Sequence, residues 1–141
     1  MRFAGIIALS ALMLASTSAV AKKPMAWPTG IYSNVRMSAE TGDLGGMEAR
    51  FYEENGEHMV EFVWCEGWCN QTYTSKLTRY DNGFEFHYTE VYEGGEGTTK
   101  SDYHFVAWPD GKKLKISAWQ GRESLDYEGK PQVLRRIKQP F

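Results

Sequence analysis

The stretch WCEGWCN, residues 64 to 70, holds both cysteines of the chain, Cys65 and Cys69, fenced by two tryptophans. The spacing admits a redox pair, half of a metal clip or a disulfide. Thioredoxin-like chemistry uses C-x-x-C at the start of a helix, whose N-terminus lowers the thiol pKa; here the pattern is C-x-x-x-C between strand-like runs. Zinc needs two further ligands, and His58, His87 and His104 are scattered singly, none at the i, i+4 spacing of a helix face. A disulfide requires Cα atoms about 5.5 Å apart, whereas four residues of extended strand span roughly 13 Å. A bridge therefore demands a reversal between the cysteines, which Gly67 permits. The expectation is a three-residue hairpin tip, Glu66-Gly67-Trp68, clamped by a cross-strand disulfide with Trp68 exposed at its point.

Other constellations are thinner. Ser, His and Asp occur without a G-x-S-x-G elbow or any context that activates a serine. Glu40 and Asp43 could pair as acid and base or bind calcium. AETGDLGG (39–46) nevertheless lacks the oxygen at nearly every second position that a calcium loop carries, so a capped turn is the simpler fate. No catalytic residue, metal or cofactor is assigned. Five Trp, eight Tyr and seven Phe are the stronger signal, because buried phenols seek hydrogen-bond partners and make pockets with polar tips.

The elements that carry these side chains read as strands. In FEFHYTEVY (84–92), Phe84, Phe86, Tyr88 and Tyr92 share one face and Glu85, His87 and Thr89 the other. SDYHFVAW (101–108) sets Tyr103, Phe105 and Ala107 against His104, Val106 and Trp108, and KLKISAW (113–119) sets Leu114, Ile116 and Ala118 against Lys113, Lys115 and Ser117. ENGE, DNGF and PDGK supply hairpin turns. Eight strands follow, near 29–36, 47–54, 57–65, 70–80, 84–93, 101–108, 113–120 and 131–138. The predicted fold is all-β, an eight-stranded antiparallel up-and-down β-barrel, with a two-sheet β-sandwich as the alternative. A turn or two of helix within 37–44 is the only helical expectation.

The joins alternate in kind. ENGE, DNGF and PDGK are tight; MSAETGDLGG, EGW, GGEGTTK and GRESLDYEGK are longer and varied, and in a meander they share one end. Loops on a rigid scaffold concentrate binding residues, and barrel mouths are common ligand sites. Phe84, Phe86, Tyr88, Tyr103, Phe105, Leu114, Ile116, Val60, Phe62 and Met47 are expected to point inward, either filling the barrel or leaving room for one small ligand. Trp68, Tyr73, Tyr88, Tyr103, Trp119 and Asp43 are the candidate ligand-binding residues.

The chain start sets the expected compartment. MRFAGIIALSALMLASTSAVA has one Arg, a short apolar run and Ala19-Val20-Ala21, the pattern of a secretory signal peptide over residues 1–21. Its apolar run is too short to span ~30 Å of hydrocarbon. A single domain, residues 22–141, is then expected in the periplasm or outside the cell, where two cysteines default to a disulfide. Asn70-Gln71-Thr72 is a sequon that matters only in a glycosylating host. A formal charge of −2, with both signs interspersed, lacks the basic footprint of a nucleic-acid binder.

TGIYSNVRMSAETGDLGGMEARFY (29–52) resembles the opening of small exported bacterial proteins of lipocalin-like, calycin-type build, mostly of unassigned function, with a G-x-Y stretch running through a polar T-G-D loop into the second strand. Gly30-Ile31-Tyr32 stands where true lipocalins have G-x-W, whose Trp packs on an Arg late in the barrel; Arg135 and Arg136 are the two such residues here. GIYSN is also similar to the Gly-x-Trp/Tyr-x-Asn opening of avidin-like barrels. Both likenesses imply the architecture and carry no ligand across. The functions to be weighed are a non-enzymatic barrel binding a small apolar or amphipathic ligand at its open end, a periplasmic protein-binding module such as a hydrolase or protease inhibitor or an immunity protein, and an enzyme built on Asp43, His58, His87, His104 or Glu90.

By the chain-entropy estimate so short a loop gives at most about 2 kcal/mol. Replacing both cysteines with serine should leave a folded protein whose urea midpoint falls by no more than that corresponds to.

Overall fold

The computed structural model describes residues 23–69, 71–95 and 97–140. The expected signal peptide, residues 1–21, and the sequon's Asn70 lie outside the described residues. Successive side chains on a strand face opposite ways, so alternating sequences bury one face and solvate the other. The described chain follows that rule as β1 (Gly30–Ser33), β2 (Arg36–Met37), β3 (Leu44–Glu54), β4 (Glu57–Cys69), β5 (Tyr73–Lys76), β6 (Thr78–Tyr80), β7 (Gly83–Gly94), β8 (Gly97–Asp110), β9 (Lys113–Gln120), β10 (Glu123–Ser124) and β11 (Gln132–Ile137). A 3-10 turn at Tyr127–Gly129 is the one helical element among the described residues, and no helix there is long and apolar enough to cross a membrane.

The sheet is antiparallel in the order β5-β4-β3-β1-β11-β9-β8-β7-β6, with β2 on β3 and β10 on β9. First and last strands meet, Tyr32 opposite Arg136. The two ends of the path, β5 and β6, are consecutive in the chain and join at the buried Leu77. The sheet is thus nearly closed into a barrel and is not divided into a sandwich. At the bend, the Leu77 N–H donates to the His58 carbonyl (2.8 Å), and the His87 N–H donates to Ser75 Oγ (3.3 Å).

The strand count departs from the predicted eight. The region 70–80 breaks at Leu77 so that β5 can pair with β4 and β6 with β7, and β2 and β10 are short additions at the loop-rich end. Two-residue turns close β3–β4, β6–β7 and β8–β9 at one end. Within DNGF the turn is Asp81-Asn82, with Asp81 at φ 44°, and Gly83 belongs to β7. There a side chain would collide with the Ala107 carbonyl, so this glycine serves close packing.

Three features of the other end differ from expectation. GGEGTTK is not a long loop: β7 and β8 stay paired to Gly94 opposite Gly97, with Thr98 and Thr99 continuing the ladder. Within 37–44 a single turn forms, Gly42 N–H to Ser38 carbonyl at 2.9 Å, without a helix. The disulfide Cys65–Cys69 spans only 3.9 Å between Cα atoms, so the chain does reverse, with Gly67 at φ 84°. The β4–β5 ladder begins at Phe62 opposite Tyr73, which puts the bridge beyond the last pair instead of across two paired strands. β3 is the reason, because it keeps hold of β4 through Glu66 and Gly67.

Met47, Val60, Phe62, Phe84, Phe86, Phe105, Leu114 and Ile116 are buried as expected, and Tyr88 and Tyr103 pack against them half-buried. Trp27, in the segment before β1, stacks on His58 (3.9 Å) and lies 5.0 Å from Phe84, closing the tight-turn end. Arg79 covers Trp27 at 4.4 Å and donates from Nη1 to the Met25 carbonyl (2.8 Å). Arg136 lies against Gly30, where any side chain would press on its guanidinium.

Strand β7 changes from core to exposed arm along its length. Phe86 is fully buried, stacked 4.7 Å from Phe105, while Val91 is exposed. Phe86→Ala should cost about 3–5 kcal/mol and Val91→Ala less than about 0.5 kcal/mol, read by denaturant unfolding.

Candidate functional site

Toward the loop-rich end the inward faces stop filling the barrel. A cavity of about 400 Å³ opens there, lined by Phe62, Trp64 and Glu66 of β4, Tyr73 of β5, Tyr88 and Glu90 of β7, Tyr103 and Phe105 of β8, Gln120 of β9 and Leu125. Strand periodicity places most of these. Trp64 follows Phe62 by two, Glu90 follows Tyr88 by two, and Gln120 follows Ala118 by two, so each shares its neighbour's inward direction. Leu125 arrives differently. After β9 the chain folds back, the Leu125 N–H donating to the Ala118 carbonyl (2.9 Å) and the Ala118 N–H to Asp126 Oδ1 (3.1 Å).

The floor is aromatic. Phe62 lies 5.6 Å from Tyr73 and 6.1 Å from Tyr88, and the Tyr73 and Tyr88 rings are 3.9 Å apart. Tyr103 stacks 6.0 Å from Tyr88 and its hydroxyl donates to Glu90 Oε2 at 3.3 Å. Burial raises the Tyr88 phenol well above its ordinary value, reinforced by its hydrogen bond to Tyr73 and by the charge of Glu90. Tyr103 is raised too, by burial and then by Glu90. Neutral phenols thus stand among apolar rings with Glu66 and Glu90 beside them, and no Lys or Arg is among the described residues that line the cavity.

Of the sequence-predicted residues, Tyr73, Tyr88 and Tyr103 come together here. Trp68 is 74% exposed at the disulfide-bridged tip and does not line the cavity. Trp119 faces outward with Lys113 and Lys115, its ring 5.6 Å from His104; the alternation along β9 already places it there. Asp43 is exposed in the 38–43 turn, its N–H donating to Thr41 Oγ1 (3.3 Å) and its carbonyl accepting from Ser38 N–H (2.7 Å). The histidines also lie outside the cavity: His58 under Trp27, His87 and His104 on the outer face of β7 and β8. Sequence reading missed Trp64, Glu66, Gln120 and Leu125 as lining residues. Alternation would have found Trp64 and Gln120; the fold-back that delivers Leu125 has no periodic signal.

Searches against family models, curated proteins and solved structures returned no match to this chain.

Because the Tyr88 and Tyr103 phenols are raised in the folded state, their contribution to stability is complete below the unfolded-chain value near pH 10 and is lost as pH rises through the folded-state values. Tyrosinate absorbance of the folded protein should include late-ionising contributions from Tyr88 and Tyr103, above the ordinary value near pH 10 or on alkaline unfolding. Tyr88→Phe should reduce the loss of stability between pH 10 and unfolding.

Proposed function

We propose that this chain is an exported, non-enzymatic, lipocalin-like (calycin-type) barrel that binds a small, partly apolar ligand at its loop-rich end, in the periplasm or outside the cell. One observation carries the reading: the barrel is packed at the tight-turn end and hollow at the other, where the cavity of about 400 Å³ has aromatic walls interrupted by phenol hydroxyls, two carboxylates and an amide. That volume is within the range of small-molecule sites, and the polar tips among the rings suit a ligand that is only partly apolar. The charge narrows the ligand class. Tyr and Trp faces attract cations through their quadrupoles, and Glu66 and Glu90 add negative charge without a basic neighbour among the lining residues. The best-matched ligand is an amphiphile with an aliphatic or aromatic body and an amine or quaternary ammonium head.

A second reading has its own observation. Trp68 is 74% exposed on a bridged tip, and Tyr92 is 69% exposed on the projecting β7–β8 arm. Exposed Trp and Tyr are favoured anchors of protein interfaces, which supports a periplasmic protein-binding module of the inhibitor or immunity type. An enzyme is supported least, because of Asp43, His58, His87, His104 and Glu90 only Glu90 lines the cavity.

The two readings separate by mutation. Quenching of tryptophan fluorescence by an alkyl ammonium, its matched alcohol and its matched carboxylate, all below micelle-forming concentration, should show tightest binding for the ammonium. Glu90→Gln should weaken that binding about tenfold, the equivalent of ~1.4 kcal/mol, and Trp68→Ala should leave it unchanged. No binding, or equal binding of all three, would rule out the cationic-ligand reading.

A further inference from the structure

Outside the barrel, the hairpin that lines the cavity brings together Glu85, His87 and His104. On β7, Glu85 and His87 are two apart and share the outward face, opposite Phe84, Phe86 and Tyr88. Register adds the third group, because His104 of β8 is the direct cross-strand partner of His87. The two imidazoles stack with centroids 4.5 Å apart and planes 3° from parallel. Glu85 Oε2 lies 3.2 Å from His104 Nε2 and 3.8 Å from His87 Nε2. Each residue offers a ligand atom, and the three atoms all fall within 4.8 Å of one another.

We propose that Glu85, His87 and His104 bind a divalent transition-metal ion of the Zn²⁺ class on the outer face of the barrel. A tetrahedral ion with bonds of about 2.0–2.2 Å keeps its ligand atoms roughly 3.3–3.6 Å apart. The two Glu85 separations are already close to that, so coordination needs side-chain rotation and no movement of the ladder. The site is supported on its inner side by the stacked Phe86 and Phe105 and is anchored around its ligands. Thr78 Oγ1 donates to Glu85 Oε1 (3.3 Å), fixing the carboxylate while Oε2 faces the histidines. Tyr80, at 6.1 Å, and Trp119, at 5.6 Å, flank the His104 ring. Access is open, since side-chain exposure is 64% at His87, 32% at His104 and 25% at Glu85.

Donor chemistry selects the ion. Two imidazole nitrogens and one carboxylate suit Zn²⁺, Cu²⁺ or Ni²⁺, whereas Ca²⁺ and Mg²⁺ require oxygen-rich shells. Three protein ligands leave the fourth position of a tetrahedral ion to water. The three ligands point away from the barrel interior, so the site is independent of the cavity.

Untagged protein stripped with chelator should bind Zn²⁺ with one-to-one stoichiometry in isothermal titration and show a raised melting temperature. His87→Ala and His104→Ala should each weaken binding by at least about 100-fold, the upper end of the cost of removing a group that only supports a metal ligand. His58→Ala should bind as the unaltered protein does, and Ca²⁺ or Mg²⁺ should give no comparable heat. Ring signals of His87 and His104, but not of His58, should shift in NMR spectra on adding Zn²⁺. Circular dichroism of the apo variants checks that folding is retained, and Glu85→Gln offers a variant that keeps both imidazoles while weakening binding. Unchanged Zn²⁺ affinity in both histidine variants, shifts confined to His58, or equal affinity for Ca²⁺ would overturn the assignment.

Discussion

Pairing of β1 with β11 is the interaction on which the rest of the structure depends. An open sheet has two faces and two edges; joining its first and last strands converts the faces into an inside and an outside and removes most of the edge. Only three residues of β1 take part, Ile31 opposite Ile137, Tyr32 opposite Arg136 and Ser33 opposite Arg135. Asn34 extends the junction with its side chain. Its Nδ2 donates to Gln132 Oε1 (3.1 Å), and its Oδ1 accepts from the Met47 N–H (2.7 Å), so one amide ties β11, β1 and β3 together just past the end of the ladder. Across the barrel, closure is weaker. There β5 and β6 are halves of one bent segment, and a serine hydroxyl substitutes for a backbone acceptor at His87.

Once closed, the barrel is asymmetric along its axis because inward residues change character along the strands. Toward the tight turns they are Phe51, Val60, Phe84 and Leu134, and Trp27 with Arg79 lies across that end. Toward the loops they become Trp64, Tyr73, Tyr88, Tyr103 and Glu90, whose polar tips cannot be buried in contact with one another without partners. The Tyr73–Tyr88 and Tyr103–Glu90 hydrogen bonds provide those partners at the mouth. The hollow follows from this change of residue type within continuous strands, with no change of backbone fold.

Much of this was legible in the sequence. Alternation in FEFHYTEVY and KLKISAW identified the inward face, and a period of two leaves no freedom once one member is known to be buried. What could not be read was long-range pairing. The break at Leu77 depends on which neighbour each half of 73–80 meets, and the lining role of Leu125 depends on a fold-back fixed by Asp126. GGEGTTK looked like a loop because glycines mark turns, yet Thr98 and Thr99 favour extended backbone and the ladder simply continues. Trp119 shows the opposite case: an aromatic near the loop-rich end suggests a mouth residue, but its parity along β9 turns it outward with Lys113 and Lys115. The histidines looked scattered for a related reason, since seventeen positions of chain separate two side chains that the hairpin stacks together.

The β7–β8 hairpin shows how a strand can serve two chemistries without conflict. Its inward residues Tyr88, Glu90 and Tyr103 meet a sheltered, partly apolar space, where burial and then the Glu90 carboxylate raise the phenols. Its outward residues Glu85, His87 and His104 meet solvent, where a carboxylate lies beside two stacked imidazoles. The acidic residues belong to opposite faces although they lie on the same strand, because five positions separate Glu85 from Glu90 and an odd separation always crosses the sheet. The stacked Phe86 and Phe105 pair stands between the two sets, fully or nearly fully buried. Moving Glu85 by one position would leave the imidazoles without their carboxylate and place it among the core phenylalanines, and moving Glu90 by one would turn it from the cavity to the exposed face. Register, more than residue composition, therefore decides which chemistry each carboxylate can take part in.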